Sequence, residues 1–226
     1  MLVFFVVLSV YFLINGRIWL CAMAAGLSIL TKYNGIFILP ALLYILYKKQ
    51  SGKKLYKNAS IIIVLPLLIA SPWLIRNWIL LGNPIWPFMN FIFDGYESKS
   101  LAALNLKNLV GLKLLVFTFL GFFGVPDGNP AAFTFAGDIP YAPALLIAWA
   151  AGAVLFMAPL ILGFSNANEK FNDKSTKSFL IIWIISYLML FLLYAANAGF
   201  SVSRIILPLF PAIAIFWAFG YEKILI

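Results

Sequence analysis

Most of the chain is apolar stretches of twelve or more residues, and outside residues 84–141 they are separated by brief polar gaps, a pattern that restricts the fold more than any other feature. Leu2 to Ile14, Ile18 to Thr31 and Ile36 to Tyr47 come first, separated by Asn15-Gly16-Arg17 and by Lys32-Tyr33-Asn34-Gly35. Ile61 to Leu81, Ala144 to Phe164, Ser178 to Ala195 and Arg204 to about Gly220 follow. Lipid offers the backbone no hydrogen-bond partner, so a spanning segment is a helix or part of a closed barrel, and these runs lack the alternation of a barrel strand. The reading is therefore all-α: a polytopic transmembrane helical bundle forming a single domain over residues 1–226. Composition agrees, with 64% hydrophobic and 10% charged residues and a mean hydropathy of +1.02. Soluble domains are roughly half apolar and about a quarter charged.

The first three runs are short for a crossing, since about 20 apolar residues are needed to cover roughly 30 Å of hydrocarbon. They are expected to be tilted, re-entrant or shielded inside the bundle. Ala22 and Gly26 form a small-xxx-small pair suited to close helix contact. Pro66 and Pro72 interrupt the Ile61–Leu81 run and predict kinks there, and Gly82-Asn83-Pro84 ends it. Residues 84–141 read as an outer-face loop region holding Trp86-Pro87, Asp94-Gly95-Tyr96-Glu97 and one apolar helix near Val110 to Phe123. Residues 2–15, with Ala22-Met23-Ala24 as a cleavage-like site, are not expected to be a signal peptide, because Arg17 follows the apolar stretch where a cationic segment should precede it.

The formal charge is +9, but the cations lie in the gaps between apolar runs and form no stripe for nucleic acid. They read as an orientation signal. Lys48 to Lys57 (KKQSGKKLYK) is the most basic loop and marks the cytoplasmic side. With residues 110–123 on the outer surface, the loop Ser165 to Lys177 and Lys223 also fall inside, which leaves ten Lys and Arg inside and six outside. Asn58-Ala59-Ser60 matches a glycosylation acceptor but adjoins the inner loop, so the modification is not expected. Cys21 is the one cysteine and carries no redox signal, and the absence of histidine excludes serine–histidine triads and histidine-ligated metals. Neither a cofactor nor a metal is expected.

Three cations fall at the outer face: Lys32 at a turn, Arg76 in Pro72-Trp73-Leu74-Ile75-Arg76-Asn77-Trp78, and Arg204 at the start of the last helix. A Lys or Arg inside a membrane helix costs roughly 2.5 to 3.5 kcal/mol on insertion scales, so a partner or a function is expected for it. Phosphate suits both types, since the guanidinium offers a fork and the ammonium a point charge. The plainer account is snorkelling of each cation to the interface. Among the outer carboxylates, Asp94 and Glu97 are weak candidates for a base, while Asp127 and Asp138 adjoin Gly or Pro in turn-like sequence. Glu169 and Asp173 read as solvated. Trp73, Trp78, Trp86, Tyr96 and Tyr141 crowd the outer boundary, where an aromatic belt is expected and stacking on a sugar ring is the alternative reading.

Leu30-Thr31-Lys32-Tyr33-Asn34-Gly35 with Leu39-Pro40, the run Ser71 to Trp78 continuing to Gly82-Asn83-Pro84 and Pro87, and Ser203-Arg204 with Leu207-Pro208-Leu209-Phe210-Pro211 form an ordered set. Over roughly residues 20–220 this set resembles the back part of the GT-C superfamily of membrane glycosyltransferases, in the branch of protein O-mannosyltransferases and aminoarabinose transferases. The resemblance implies sugar transfer from a polyprenyl-phosphate-linked donor to an acceptor at the outer face, with Lys32, Arg76 and Arg204 at the donor phosphate. It also implies a catalytic carboxylate in a loop well before a segment like Leu30 to Tyr33, whereas residues 1–30 hold no Asp or Glu. The base is thus expected upstream, and the chain is expected to be a fragment that is inactive alone, completed by a missing N-terminal half. Two other classes fit the same composition. In a transporter or flippase component the cations would line an anion route, and in a non-catalytic membrane subunit the apolar faces would bind partner helices. The partners expected are membrane lipid and the lipid-linked sugar.

Overall fold

The structure is a computed structural model that describes residues 1–86, 93, 142–171, 173–198 and 207–225, and every regular element among them is helical. Helices α1 (Leu2–Ile14) and α2 (Ile18–Thr31) are followed by a 3-10 turn (Tyr33–Ile38), α3 (Leu39–Lys49) and α4 (Gly52–Leu81). Then come α5 (Ala142–Lys170), α6 (Lys174–Ala198), a second 3-10 turn (Leu207–Leu209) and α7 (Phe210–Leu225). Among the described residues three stretches are long and apolar enough to cross a membrane: α4, Lys174–Phe191 of α6, and Leu207–Leu225. Helices α1 and α2 are shorter, about 20 Å each at 1.5 Å per residue.

The basic segment Lys48 to Lys57 is not the loop its charge suggested. Helix α3 runs to Lys49 and α4 starts at Gly52, so Gln50 and Ser51 alone link them. Lysine is a good helix former and reaches water from a helix end, so charge ends an apolar run without ending the helix. The Asn58 amide donates to Gln50 Oε1 at 2.7 Å and closes the link, and Gly52 takes a left-handed φ of 59°. The loop Ser165 to Lys177 contracts in the same way to 171–173, with Asp173 capping α6 by accepting hydrogen bonds from the Ser175 hydroxyl and backbone N–H. Those two bonds, with the charges of Lys49 and Lys48 beyond them, hold the Asp173 carboxyl below the usual carboxylate range. Regular α7 begins at Phe210 and is preceded by a 3-10 turn at Leu207–Leu209. Arg204 itself and the expected helix Val110 to Phe123 lie outside the described residues.

Helix α4 runs through both prolines as one helix. Pro72 has no N–H for the carbonyl four residues back, Leu68, and the Ser71 hydroxyl donates to that oxygen at 2.7 Å instead. Pro66 is buried against α2, which passes so close that a Cβ on Gly26 would lie 3.0 Å from Pro66 Cα. Gly82, with φ 68°, ends α4.

The packing places the helix ends at two levels. Gly26 meets Pro66 and Ile69, and Tyr33 meets Trp73 and Asn77, so α2 and α4 run parallel. Helix α3 lies antiparallel to α6, with Phe37 beside Tyr187 near one end and Asp173 in the field of Lys49 at the other. Lys170 pairs with Glu222 and joins the ends of α5 and α7 to the same level. One level, the basic end, therefore gathers Lys48, Lys49, Lys53, Lys54 and Lys57 with the ends of α5 and α7 and the start of α6. Lys32 and Arg76 stand at the other.

Helices α5 and α7 cross where Gly163 faces Phe216 and Gly220 faces Pro159, and a Cβ on either glycine would strike the opposing backbone. Phe164 stacks on Phe216 at 4.0 Å beside the crossing. Pro159 frees the Leu155 carbonyl, which accepts from the Tyr221 hydroxyl at 3.3 Å, and the adjacent Phe156 carbonyl accepts from Trp217 Nε1 at 3.0 Å. Gly220→Ala is expected to lower the stability of the detergent-solubilised protein by about 1–3 kcal/mol, the usual cost of overpacking. Gly152→Ala, with open space at its Cβ, is expected to leave stability unchanged or raise it by up to about 1 kcal/mol through helix propensity. A thermal unfolding comparison in which the two variants behave alike would remove the close-crossing account.

Candidate functional site

At the end opposite the lysines, α2 finishes at Thr31 and Lys32 turns the chain into extended backbone with φ −163° and ψ 136°. The 3-10 turn then folds back over α2, with Gly35 N–H donating to the Lys32 carbonyl at 2.8 Å. Only glycine fits at position 35, since any Cβ would collide with the backbone and hydroxyl of Ser28. This tight return sets Tyr33 against the end of α4.

There the Tyr33 hydroxyl oxygen accepts two hydrogen bonds, from Trp73 Nε1 at 2.9 Å and from Asn77 Nδ2 at 2.6 Å. Trp73 and Asn77 are four apart and so lie on one face of α4. Asn77 is 2% exposed, which makes its partners obligatory. Between them in sequence, Arg76 lies over the Trp73 ring at 5.1 Å and its Nη1 is 3.4 Å from Asn77 Oδ1. The guanidinium is therefore held by an aromatic face on one side and an amide oxygen on the other. After Gly82, the side chain of buried Asn83 accepts from Ile85 N–H at 2.9 Å, an Asx turn that brings Trp86 back toward the helix end.

These elements enclose an open cleft of about 470 Å³. Lys32 and Arg76 supply its charge, Tyr33, Trp73 and Trp86 its aromatic walls, and Ile29, Leu30 and Leu81 its apolar lining, with Thr31 and Asn77. Both cations are exposed. Such a lining suits an anion carried on an apolar or planar body. No carboxylate lines the cleft among the described residues, and no group of three His, Cys, Asp or Glu there could hold a metal.

Of the residues singled out from sequence, the structure brings Lys32 and Arg76 into one cleft. Arg204, Asp94, Glu97, Asp127 and Asp138 lie outside the described residues, as do Tyr96 and Tyr141. Trp73 and Trp86 line the cleft, whereas Trp78 points away from it and is 64% exposed. Glu169 and Asp173 are exposed at the basic end, as expected of solvated carboxylates. Sequence reasoning missed Tyr33 and Asn77 as the joint of the site. The four-residue spacing of Trp73 and Asn77 was visible, but nothing local pairs them with a tyrosine 44 residues away from Asn77. Compared with protein-family models, curated proteins and solved structures, the chain matches none.

Tyr33→Phe removes the shared acceptor and leaves the buried Asn77 amide and the Trp73 N–H without it. The expected loss is about 1–3 kcal/mol of stability, the cost of orphaning a buried donor. Trp73→Phe removes a donor only and is expected to cost less in the same unfolding assay; the reverse order would discard Tyr33 as the joint.

Proposed function

We propose that this chain is a multi-pass membrane protein whose cleft holds the phosphate of a polyprenyl-phosphate-linked sugar at the outer face, as part of a GT-C-like glycosyltransferase. One observation carries the reading: Lys32 and Arg76, separate in sequence, share an aromatic-walled cleft one membrane thickness from the lysine-rich end. From Lys53 to Arg76 helix α4 rises roughly 35 Å at 1.5 Å per residue, against about 30 Å of hydrocarbon in a bilayer. Beyond the lysines the helix is apolar from Ile61 to Ala70 and leaves Ile63, Val64, Leu67 and Leu68 exposed, a surface that lipid would cover. The positive-inside bias then puts Lys48 to Lys57 in the cytoplasm and the cleft outside.

In this reading Arg76 forks onto phosphate oxygens, Lys32 adds a point charge, and the rings of Trp73 and Trp86 flank the sugar or the first isoprene units. The described lining offers donors and rings but no base, so transfer needs a carboxylate from elsewhere. That same lining favours, as a second reading, a membrane subunit that holds a lipid phosphate without transferring from it. Turnover by the protein together with a full-length partner separates the two.

Lys32→Ala and Arg76→Ala are each expected to weaken binding of a polyprenyl phosphate in nanodiscs by about tenfold or more, since a charge-assisted hydrogen bond contributes about 1.5–3 kcal/mol. Unchanged affinity in both, measured by native mass spectrometry or tryptophan fluorescence, would rule out the shared phosphate site. The orientation has its own test. In intact cells an impermeant maleimide is expected to label Trp78→Cys and to spare Lys54→Cys, and the opposite pattern would invert the topology.

A further inference from the structure

Five lysines of the basic end fall within Lys48 to Lys57. Lys48, Lys49, Lys53, Lys54 and Lys57 are all exposed, and the two-residue link between α3 and α4 fixes them on one short, helical platform. Lys48 stands over the rings of Tyr44 and Tyr47 at 5.8 and 5.9 Å. Asp173 answers part of the charge of Lys49 and Lys48, while Lys170 pairs with Glu222. Among the described residues Lys53, Lys54 and Lys57 have no ion pair.

Lys53 and Lys54 moreover occupy the first turn of α4, where the helix dipole disfavours cations, with no acidic residue in that turn and no side-chain cap from Ser51. A nearby anion would relieve that placement. Tyr47 and Tyr56 flank the lysines at 64% and 73% exposure, and tyrosine favours the headgroup level of a bilayer.

We infer that this platform is a docking surface for anionic phospholipid headgroups of the leaflet facing the basic end, an inference that rests on the membrane reading above. The five lysines match the density of juxtamembrane polybasic segments that recruit acidic lipid. The tyrosines and the apolar body of α4 hold the platform at headgroup depth. Acidic lipid bound there fixes the level of α4, and through α4 the level of the cleft at its far end.

The test is lipid retention by the full chain in nanodiscs of phosphatidylcholine with and without phosphatidylglycerol, read by native mass spectrometry. Phosphatidylglycerol is expected to be retained in preference to phosphatidylcholine. Lys53→Gln/Lys54→Gln/Lys57→Gln is expected to reduce that preference by roughly fivefold per lysine, about a hundredfold in all. The corresponding triple arginine variant should keep it. Equal retention of the two lipids by the wild type, or a preference that survives the triple glutamine variant, would overturn the proposal. So would displacement of the lipid by soluble glycerol phosphate, which would mark a free-phosphate site, or tighter binding of an acidic peptide than of phosphatidylglycerol, which would mark a protein partner. Failure to insert into either disc would overturn this inference and the membrane reading together, whereas insertion with no lipid preference would leave the membrane reading standing.

Discussion

Every backbone carbonyl in an apolar helix must find a donor, and in this chain the prolines decide where that requirement becomes architecture. Pro72 frees the Leu68 carbonyl, and Ser71 answers it from within α4, so the helix stays continuous and delivers Trp73, Arg76 and Asn77 to the cleft. Pro159 frees the Leu155 carbonyl, and the answer comes from Tyr221 on another helix, with Trp217 bonding the next carbonyl. The Pro208 carbonyl accepts from Trp183 Nε1 at 3.0 Å and ties the start of α7 to α6. In water each freed group could turn to solvent. In an apolar setting an orphaned polar group costs roughly 2–7 kcal/mol, so the donor must be built in. The same proline chemistry is thus answered within one helix and joins another pair.

The apolar runs located the helices well, because hydrophobic continuity and helical hydrogen bonding are imposed by the same surroundings. Leu2–Ile14 and Ile18–Thr31 have the same bounds in sequence and structure, and Gly82 stops α4 where its left-handed preference indicated. The polar ends were misjudged for a physical reason. Charge marks where a helix leaves the apolar layer, but the backbone goes on bonding to itself, so Lys49, Gly52 to Lys57, Ser165 to Lys170 and Lys174 to Lys177 are helical. Hydropathy reads solvent; hydrogen bonding ends the helix.

The site was legible in its charges and illegible in its joint. Lys32 and Arg76 stood out because cations in apolar sequence are costly, and that cost is a one-residue property visible without a fold. Tyr33 and Asn77 matter through a bond between distant segments, which depends on α2 and α4 running parallel in one register. That register in turn rests on small-residue contact at Gly26 and on the return forced at Gly35. The notion of an aromatic belt was also too coarse. Trp73 and Trp78 are five apart on α4 and point different ways, one into the cleft and one outward.

The two cationic zones of the molecule are chemically unlike, and the difference indicates separate tasks. At the basic end the lysines stand in the open on helix termini, where water screens them and only a dense array of negative charge gives strong collective attraction. In the cleft two cations share a space whose other walls are rings and aliphatic chains. In the proposed reading a phosphate seated between those walls displaces part of the water around the two cations and so gains more from each contact. A guanidinium laid over an indole keeps its charge while losing part of its freedom to move, which lowers the entropy it gives up when it closes on an oxyanion. On that proposal the zone with fewer charges is the one equipped for selective recognition, and α4 spans the distance between the two.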